Sequence, residues 1–245
     1  MSRASVLDTE RIPGGCIIQI NFLRIIILCA IAAVIILYLF DLSGVINQDF
    51  AQSGDFEGVE IRNYDGEDLS KISAFRENSI KGPQRISEED YRLTVSGLVT
   101  NEKTYSYDEI LSEFKNYKKV VTLNCVEGWD VTILWEGVRV NDITDQSGIL
   151  PSANTVIFTA YDGYSTSFPL TYIIDNNIIM AHSMNNVTLP AERGFPFMLV
   201  AEDKWGYKWI KWITTIELSD DETYRGYWER RGYSNIGDLD RSFFG

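Results

Sequence analysis

From Ile17 to Phe40 the chain is almost continuously apolar, with Gln19, Asn21 and Arg24 confined to the first third of the run. About 20 apolar residues in a helix cross a bilayer core, so Phe22 to Phe40 suffices when Arg24 reaches back to the headgroups. A cleaved signal peptide has an apolar region of roughly 7 to 15 residues ending at a small-residue site. Leu37-Tyr38-Leu39-Phe40-Asp41 offers no such site. Nothing polar punctuates Ile25 to Phe40, which argues against a buried core helix. Arg3, Arg11 and Arg24 lie before or within the start of the run, and Asp41 and Asp49 follow it. The positive-inside rule then keeps the N-terminus cytoplasmic and puts the rest outside. The expected organisation is a short cytoplasmic N-terminus over 1–16, a transmembrane helix over 17–40, a Gly/Ser/Asp/Gln/Asn-rich tether over 41–60 and one domain over 61–245. The expected location is the cell membrane, single-pass, with the domain extracytoplasmic.

Composition removes several function classes from that domain. The formal net charge of −13 lacks the basic footprint that nucleic-acid binding needs, so no nucleic-acid partner is expected. Of three cysteines, Cys16 and Cys29 fall in the first thirty residues, which leaves the domain no internal disulfide. His182 is the single histidine, so multi-histidine zinc or iron sites and the histidine–carboxylate facial triad are excluded. No Gly-x-Ser-x-Gly elbow accompanies it, which disfavours a serine hydrolase.

The remaining pattern is strand-rich. Tyr91 to Val99 alternates like a half-buried strand, and Ser106 to Phe114 reads as a short helix opened by a serine cap. Strand character follows in Val120–Cys125, Thr155–Ala160, Tyr172–Ile174, Phe197–Ala201 and Ile213–Leu218. Long helical periodicity is scarce, so the fold class is α+β dominated by strands. Lys204, Lys208 and Lys211 are spaced i, i+4, i+7, with Trp205, Trp209 and Trp212 one position on. As a helix this would be a basic stripe beside an aromatic one on a membrane surface. Gly206 and the β-branched residues after Trp212 argue instead for a loop entering a strand.

Cys125 is the one thiol outside the first thirty residues. The β-branched approach from Val120 and the break at Glu127-Gly128 place it at or near a strand end. A cysteine there is either a small buried hydrophobe or a soft metal ligand and nucleophile. The run Leu123-Asn124-Cys125-Val126-Glu127-Gly128-Trp129, followed by Leu134-Trp135-Glu136-Gly137-Val138, resembles the sulfite oxidase-like molybdopterin-binding oxidoreductase family. The likeness extends from Phe75-Arg76-Glu77-Asn78-Ser79 through Tyr161–Tyr164, Leu189–Pro196 and Lys204–Lys208 to Gly226–Tyr233, roughly residues 60 to 235.

The resemblance implies a sulfite oxidase-type molybdopterin domain, with molybdenum–molybdopterin as cofactor and Cys125 as catalytic residue and metal ligand. It further implies cofactor contacts from Arg76 and Asn78, from Tyr161 and Asp162 at a turn, and from Lys204, Lys208 and Lys211 toward a phosphate. Here Glu77 stands between Arg76 and Asn78, a departure from the family's entrance loop. Many relatives also carry an arginine two residues after the proline of Gly194-Phe195-Pro196, where this chain has Met198. That favours an S-oxide or N-oxide over sulfite and points to the family's methionine sulfoxide reductase branch. The expected activity is oxygen-atom transfer coupled to two-electron redox, with a small-molecule oxo donor or acceptor as substrate. No haem motif is present, so electrons require a separate membrane haem protein or soluble carrier. Relatives exported with cofactor already loaded carry a twin-arginine signal, and no Arg-Arg pair precedes this span. The alternative is a membrane-tethered, non-enzymatic binding or sensory domain that keeps the fold without the metal.

Overall fold

The computed structural model describes residues 56–245; the expected cytoplasmic segment, membrane helix and most of the tether lie outside the described residues. Among the described residues no helix is long and apolar enough to cross a membrane. The architecture is α+β and strand-rich. A small hairpin, β1 (Asn63–Tyr64) with β2 (Glu67–Asp68), precedes two larger sheets.

The first sheet is built on β5 (Asn116–Asn124), β6 (Asp130–Arg139) and β9 (Ile179–Met184), with β10 (Val187–Thr188) and β11 (Met198–Val200) both pairing with β9. The second runs β4 (Lys103–Tyr105), β3 (Leu93–Gly97), β12 (Ile213–Ser219), β7 (Thr155–Ala160), β8 (Ser165–Pro169). Its β12–β3 pair is parallel and the others are antiparallel. Alternate side chains of both sheets meet in one apolar core, for example Leu93 and Val95 of β3, Phe158 of β7, and Val131, Ile133 and Trp135 of β6. The period-2 pattern of β3 inverts polarity at each residue, which is what half-burial of a strand demands.

The helix expected after Ser106 is α1 (Tyr107–Glu113). The Ser106 hydroxyl accepts from the Glu109 N–H at 3.3 Å, and the Glu109 carboxylate accepts from the Ser106 N–H at 2.7 Å, a reciprocal capping box. The Ser106 N–H, with its hydroxyl donating at 2.9 Å, holds the exposed Glu109 carboxyl below its usual range. Ser106→Ala is expected to cost about 1 kcal/mol, read as a lower urea midpoint with unchanged slope.

Several elements differ from the sequence expectation. Tyr172–Ile174 is not a strand but the centre of α3 (Leu170–Asp175), which follows Pro169 directly. Ile173 is buried while Ile174 is exposed, so one face of a short helix, rather than a pleat, decides the conformation. The β-branched pair misleads because packing overrides propensity over so few residues. Strands β6, β8 and β9 and the short helix α2 (Val140–Asp145) were not anticipated. The domain's packing also begins earlier than residue 61: Phe56 is buried in the core, and the Glu60 carboxylate accepts from the Ile72 N–H at 2.7 Å. The Lys/Trp stripe, by contrast, is as expected no long helix but a segment entering a strand: a 3-10 turn, Gly206–Lys208, leads into β12.

Candidate active site

β5 and β6 form a hairpin in continuous register from Asn116↔Val138 to Asn124↔Asp130. The reversal at its tip follows from Cys125-Val126-Glu127-Gly128: Gly128 takes φ +81°, the Gly128 N–H donates to the Cys125 carbonyl at 3.0 Å, and the Cys125 N–H donates to the Trp129 carbonyl at 2.9 Å. Cys125 therefore stands one residue past β5 with its backbone fixed. Its side chain faces a cavity of about 400 Å³, within the size range of small-molecule and cofactor sites.

Four further segments complete the cavity. The irregular stretch after Phe75 brings Arg76, Asn78 and Ser79; the turn after β7 brings Asp162 and Tyr164; the turn before β12 brings Tyr207, Trp209 and Lys211; and the C-terminal part brings Tyr227, Trp228 and Tyr233. Met198 of β11 also lines the wall, so the position where many relatives hold an arginine is apolar here.

The thiol of Cys125 is 8% exposed. Burial pushes its pKa up, Glu127 adds to this through its charge, and hydrogen bonds from the Glu127 backbone and Asn78, together with the Arg76 charge, pull partly in the other direction. The protein alone thus favours the thiol; a bound metal ion would remove the proton outright. Glu127 is itself held in place, accepting from the Asn78 amide at 3.0 Å and the Trp129 indole at 3.2 Å. Its carboxylate ties the loop after Phe75 to the cysteine hairpin. Trp129 in turn packs on Phe75 at 5.8 Å between ring centroids.

Lys211 is buried beside the cavity, donating to the Glu77 carboxylate at 3.1 Å and the Glu192 carbonyl at 3.3 Å. Burial lowers its pKa, and Glu77 opposes the shift. The residue Glu77 that interrupts the family's entrance pattern therefore has a structural role: it pairs with Lys211 across 134 positions of sequence. Trp212, next along, sits at φ +55°, a conformation that costs a bulky residue on the order of 1–3 kcal/mol. Its carbonyl accepts from Tyr161 N–H at 2.9 Å and its indole donates to the Ala191 carbonyl at 2.8 Å. The strain is offset by ties that fix where Lys211 points.

Of the residues named from the sequence, the structure brings Arg76, Asn78, Cys125, Asp162 and Lys211 to one cavity. It does not bring Tyr161, Lys204 or Lys208 there. Tyr161 is 61% exposed, its ring turned to solvent while Asp162 turns inward and accepts from the Tyr164 N–H at 2.9 Å. Lys204 pairs with Asp238 and lies over the Tyr172 ring. Lys208 is fully buried, donating to the Ser167 carbonyl at 2.7 Å, the Glu229 carboxylate at 2.8 Å and the Asn235 carbonyl at 3.0 Å. All three of its donors are used inside the protein. The i, i+4, i+7 spacing suggested one cluster, but a 3-10 turn followed by an irregular approach to β12 sends the three ammonium groups to separate places. His182 does not line the cavity; it bonds Asn116 at 2.9 Å. The aromatic wall from Trp129, Trp209 and Tyr227 to Tyr233 lay within segments that carried the resemblance, but no site role was assigned to it from the sequence.

Three features of this site fit a molybdopterin group. The one free thiol among the described residues, Cys125, is at the cavity wall. Gly206, which also lines the cavity, packs closely on the cysteine strand, where a Cβ would meet the Asn124 carbonyl at 3.2 Å and the Leu123 side chain at 3.3 Å. Polar hydrogens are also left over: the Ser79 hydroxyl lines the cavity without a partner, and Arg193, whose guanidinium lies 5.3 Å from the centroid of the cavity-lining Phe75 ring, has Nε and Nη1 unpaired. Buried donors without partners are uncommon and mark a place for a polar ligand or water. Among the described residues no group of three or more histidine, cysteine or carboxylate side chains is arranged to hold a bare metal ion, so a metal there needs ligands of its own.

Comparison with known proteins agrees. The family described as "Oxidoreductase molybdopterin binding domain" matches residues 80–228, well over half of the chain. The chain is 32% identical over 149 residues to "Uncharacterized oxidoreductase YuiH" of Bacillus subtilis (strain 168), covering 60% of this chain and 74% of that protein. It is 32% identical over 163 residues to "Putative protein-methionine-sulfoxide reductase subunit YedZ1" of Azospira oryzae, covering 65% and 62%. To human mitochondrial sulfite oxidase it is 27% identical over 191 residues, covering 66% and 35%. The crystal structure of the sulfane dehydrogenase SoxCD from Paracoccus pantotrophus matches with TM-score 0.56 and 20% identity, over 62% of this chain and 43% of that one. That last likeness establishes the fold alone. Apart from the Bacillus protein, the match spans less than two thirds of the length of these relatives.

Proposed function

Because the chain belongs to the oxidoreductase molybdopterin-binding domain family, and so to the molybdenum cofactor-dependent oxidoreductases, we propose that it is a membrane-tethered enzyme that reduces an S-oxide or N-oxide. The observation that carries this reading is Cys125 at the wall of a preformed cavity beside the apolar Met198. When bound, the molybdenum–molybdopterin group supplies two-electron redox chemistry and accepts or releases an oxygen atom. The chain's own residues do the rest. Cys125 would hold the metal through its sulfur. Arg76 and Asn78 flank it, Lys211 supplies positive charge for the cofactor's anionic tail, and Asp162 turns a carboxylate inward. Lys204 and Lys208 have no part in this reading, since neither lines the cavity. The Trp129–Phe75 pair gives the cavity an apolar wall on the side of the Cys125 hairpin. Met198 favours a substrate without a full negative charge, because its apolar side chain offers an anion no compensating charge of its own.

The tether rests on the Ile17–Phe40 run and its flanking arginines. One experiment tests anchor and cofactor together. Right-side-out vesicles from the native host, treated with protease, are expected to release a domain cut within residues 41–55 that carries molybdenum in about equimolar amount. A released domain free of molybdenum would sink the enzyme reading in favour of a binding module; a domain protected in these vesicles and cut in inverted ones would reverse the orientation.

A further inference from the structure

The outer side of the cavity's C-terminal wall has a character unlike the rest of the chain. The formal net charge is −13, yet from residue 225 onward Arg225, Arg230, Arg231 and Arg241 are exposed. Of the carboxylates in that stretch, Glu229 is buried against Lys208, Asp238 is paired with Lys204, and Asp238 and the 82% exposed Asp240 each lie 3.9 Å from Arg241, which leaves Arg225, Arg230 and Arg231 without a carboxylate partner in that stretch. Among these arginines, apolar side chains reach solvent: Phe244 is 62% exposed and Ile236 51%.

The exposed rings are continuous with the cavity. Phe244 lies 5.4 Å from Tyr233 between centroids, and Tyr233 lies 5.1 Å from Trp228. Tyr233 and Trp228 line the cavity that holds Cys125. Trp205 and Phe243 extend the cluster, at 5.5 Å from each other and with Phe243 6.0 Å from Tyr233. An exposed apolar centre with a charged rim is the anatomy of a protein–protein contact, and depletion of acidic groups selects for a partner of opposite sign.

The geometry points to this arginine-rimmed aromatic face, centred on Tyr233 and Phe244, as the docking surface for an acidic one-electron carrier protein. The inference rests on the oxidoreductase reading. For an S-oxide substrate, the S–O bond breaks and the oxygen leaves as water with two protons from solvent. The two electrons come from two reduced carriers, each oxidised by one electron in its own encounter. Rings in contact from the surface to the cavity wall keep the carrier's electron path short, and that continuity would serve no purpose for a lipid headgroup.

The test uses the full-length, cofactor-loaded chain in detergent micelles and reduced flavodoxin, an acidic one-electron carrier, as probe. Flavodoxin is expected to bind at low salt and to lose affinity as salt rises, and the double variant Arg230→Glu, Arg241→Glu is expected to bind it about tenfold or more weakly. Reduction of dimethyl sulfoxide driven by methyl viologen, a small donor that needs no docking face, should stay within about twofold of the parent, because neither arginine lines the cavity. Absent flavodoxin binding, or binding the variant does not change, overturns the docking surface. It is equally overturned if, with flavodoxin binding unchanged, the variant loses self-association in sedimentation, which assigns the face to a second copy. Variant-sensitive tryptophan quenching by brominated phosphatidylglycerol vesicles under the same condition assigns it to the membrane. Charge-dependent flavodoxin binding without any viologen-driven sulfoxide reduction leaves the surface standing and sinks the substrate reading instead.

Discussion

Cys125→Ser is expected to leave a folded domain that has lost oxygen-atom transfer by more than about a hundredfold, since even residues that only support a metal ligand typically change activity or affinity by 10–100-fold. Serine preserves size but replaces a soft, readily ionised sulfur with a hard hydroxyl, which molybdenum in a sulfur-rich site binds differently. The packing cost is small by comparison. Cys125 is buried but at the rim of the core, so one poorly paired hydroxyl should cost about 1–3 kcal/mol. The two effects separate in measurement: circular dichroism and the thermal midpoint report packing, while the metal absorption spectrum and turnover per folded molecule report ligation. A serine variant that is folded, metal-loaded and turns over normally would remove Cys125 from the chemistry. Titration of the unloaded protein with a thiol reagent should give an apparent pKa above the ordinary cysteine value, because burial dominates there.

The second large effect falls on a residue the sequence assigned to the cofactor and the structure assigns to the fold. Lys208→Met is expected to destabilise the domain by about 3–5 kcal/mol, because it leaves the Glu229 carboxylate buried and deprived of its cation. The damage extends beyond charge, since the same ammonium satisfies carbonyls at Ser167 and Asn235 and so staples β8 and the C-terminal part to the turn that carries Tyr207 and Trp209. Glu229 also accepts from the Thr166 hydroxyl at 2.6 Å, but its second oxygen has no partner, so this pair is not a fully satisfied network. Replacing both members, Lys208→Met with Glu229→Leu, is therefore expected to recover a large part of the loss. Thermal melts of unloaded protein check this directly. A phosphate-binding lysine would leave those melts unchanged and lower only cofactor content, so a single variant as stable as the parent would restore the sequence-based assignment.

Linkage follows from the same burial. Desolvation lowers the Lys208 pKa in the folded state below its unfolded value, with Glu229 opposing the shift. The unfolded chain then binds more protons than the folded one between those two pKa values, and stability contributed by this group rises with pH through that interval. Lys208→Met should abolish that rise.

How far the sequence reached depended on the range of the interactions involved. The capped helix α1 was legible because its cap is local: Ser106 and Glu109 satisfy each other's backbone within one turn. The strand leading to Cys125 was legible for the same reason, its β-branched run closing on a glycine-bearing turn, and the motif around it carried the family. Arg76, Asn78 and Asp162 followed from that family likeness and do share one cavity with Cys125. The α3 helix was misread because three β-branched or aromatic residues at Tyr172–Ile174 carry a strand preference that the burial of Ile173 on one side outweighs.

By itself, then, the order of residues determined the α+β, strand-rich class, the single domain thiol and its place at a strand end, because each is set by composition or by neighbours in the chain. Only the tertiary structure decided which cations serve the cavity. Whether Lys204, Lys208 or Lys211 faces it depends on carboxylates 34, 21 and 134 positions away, Asp238, Glu229 and Glu77. A buried ammonium goes where its desolvation is compensated, and no spacing within the chain states where that partner will be.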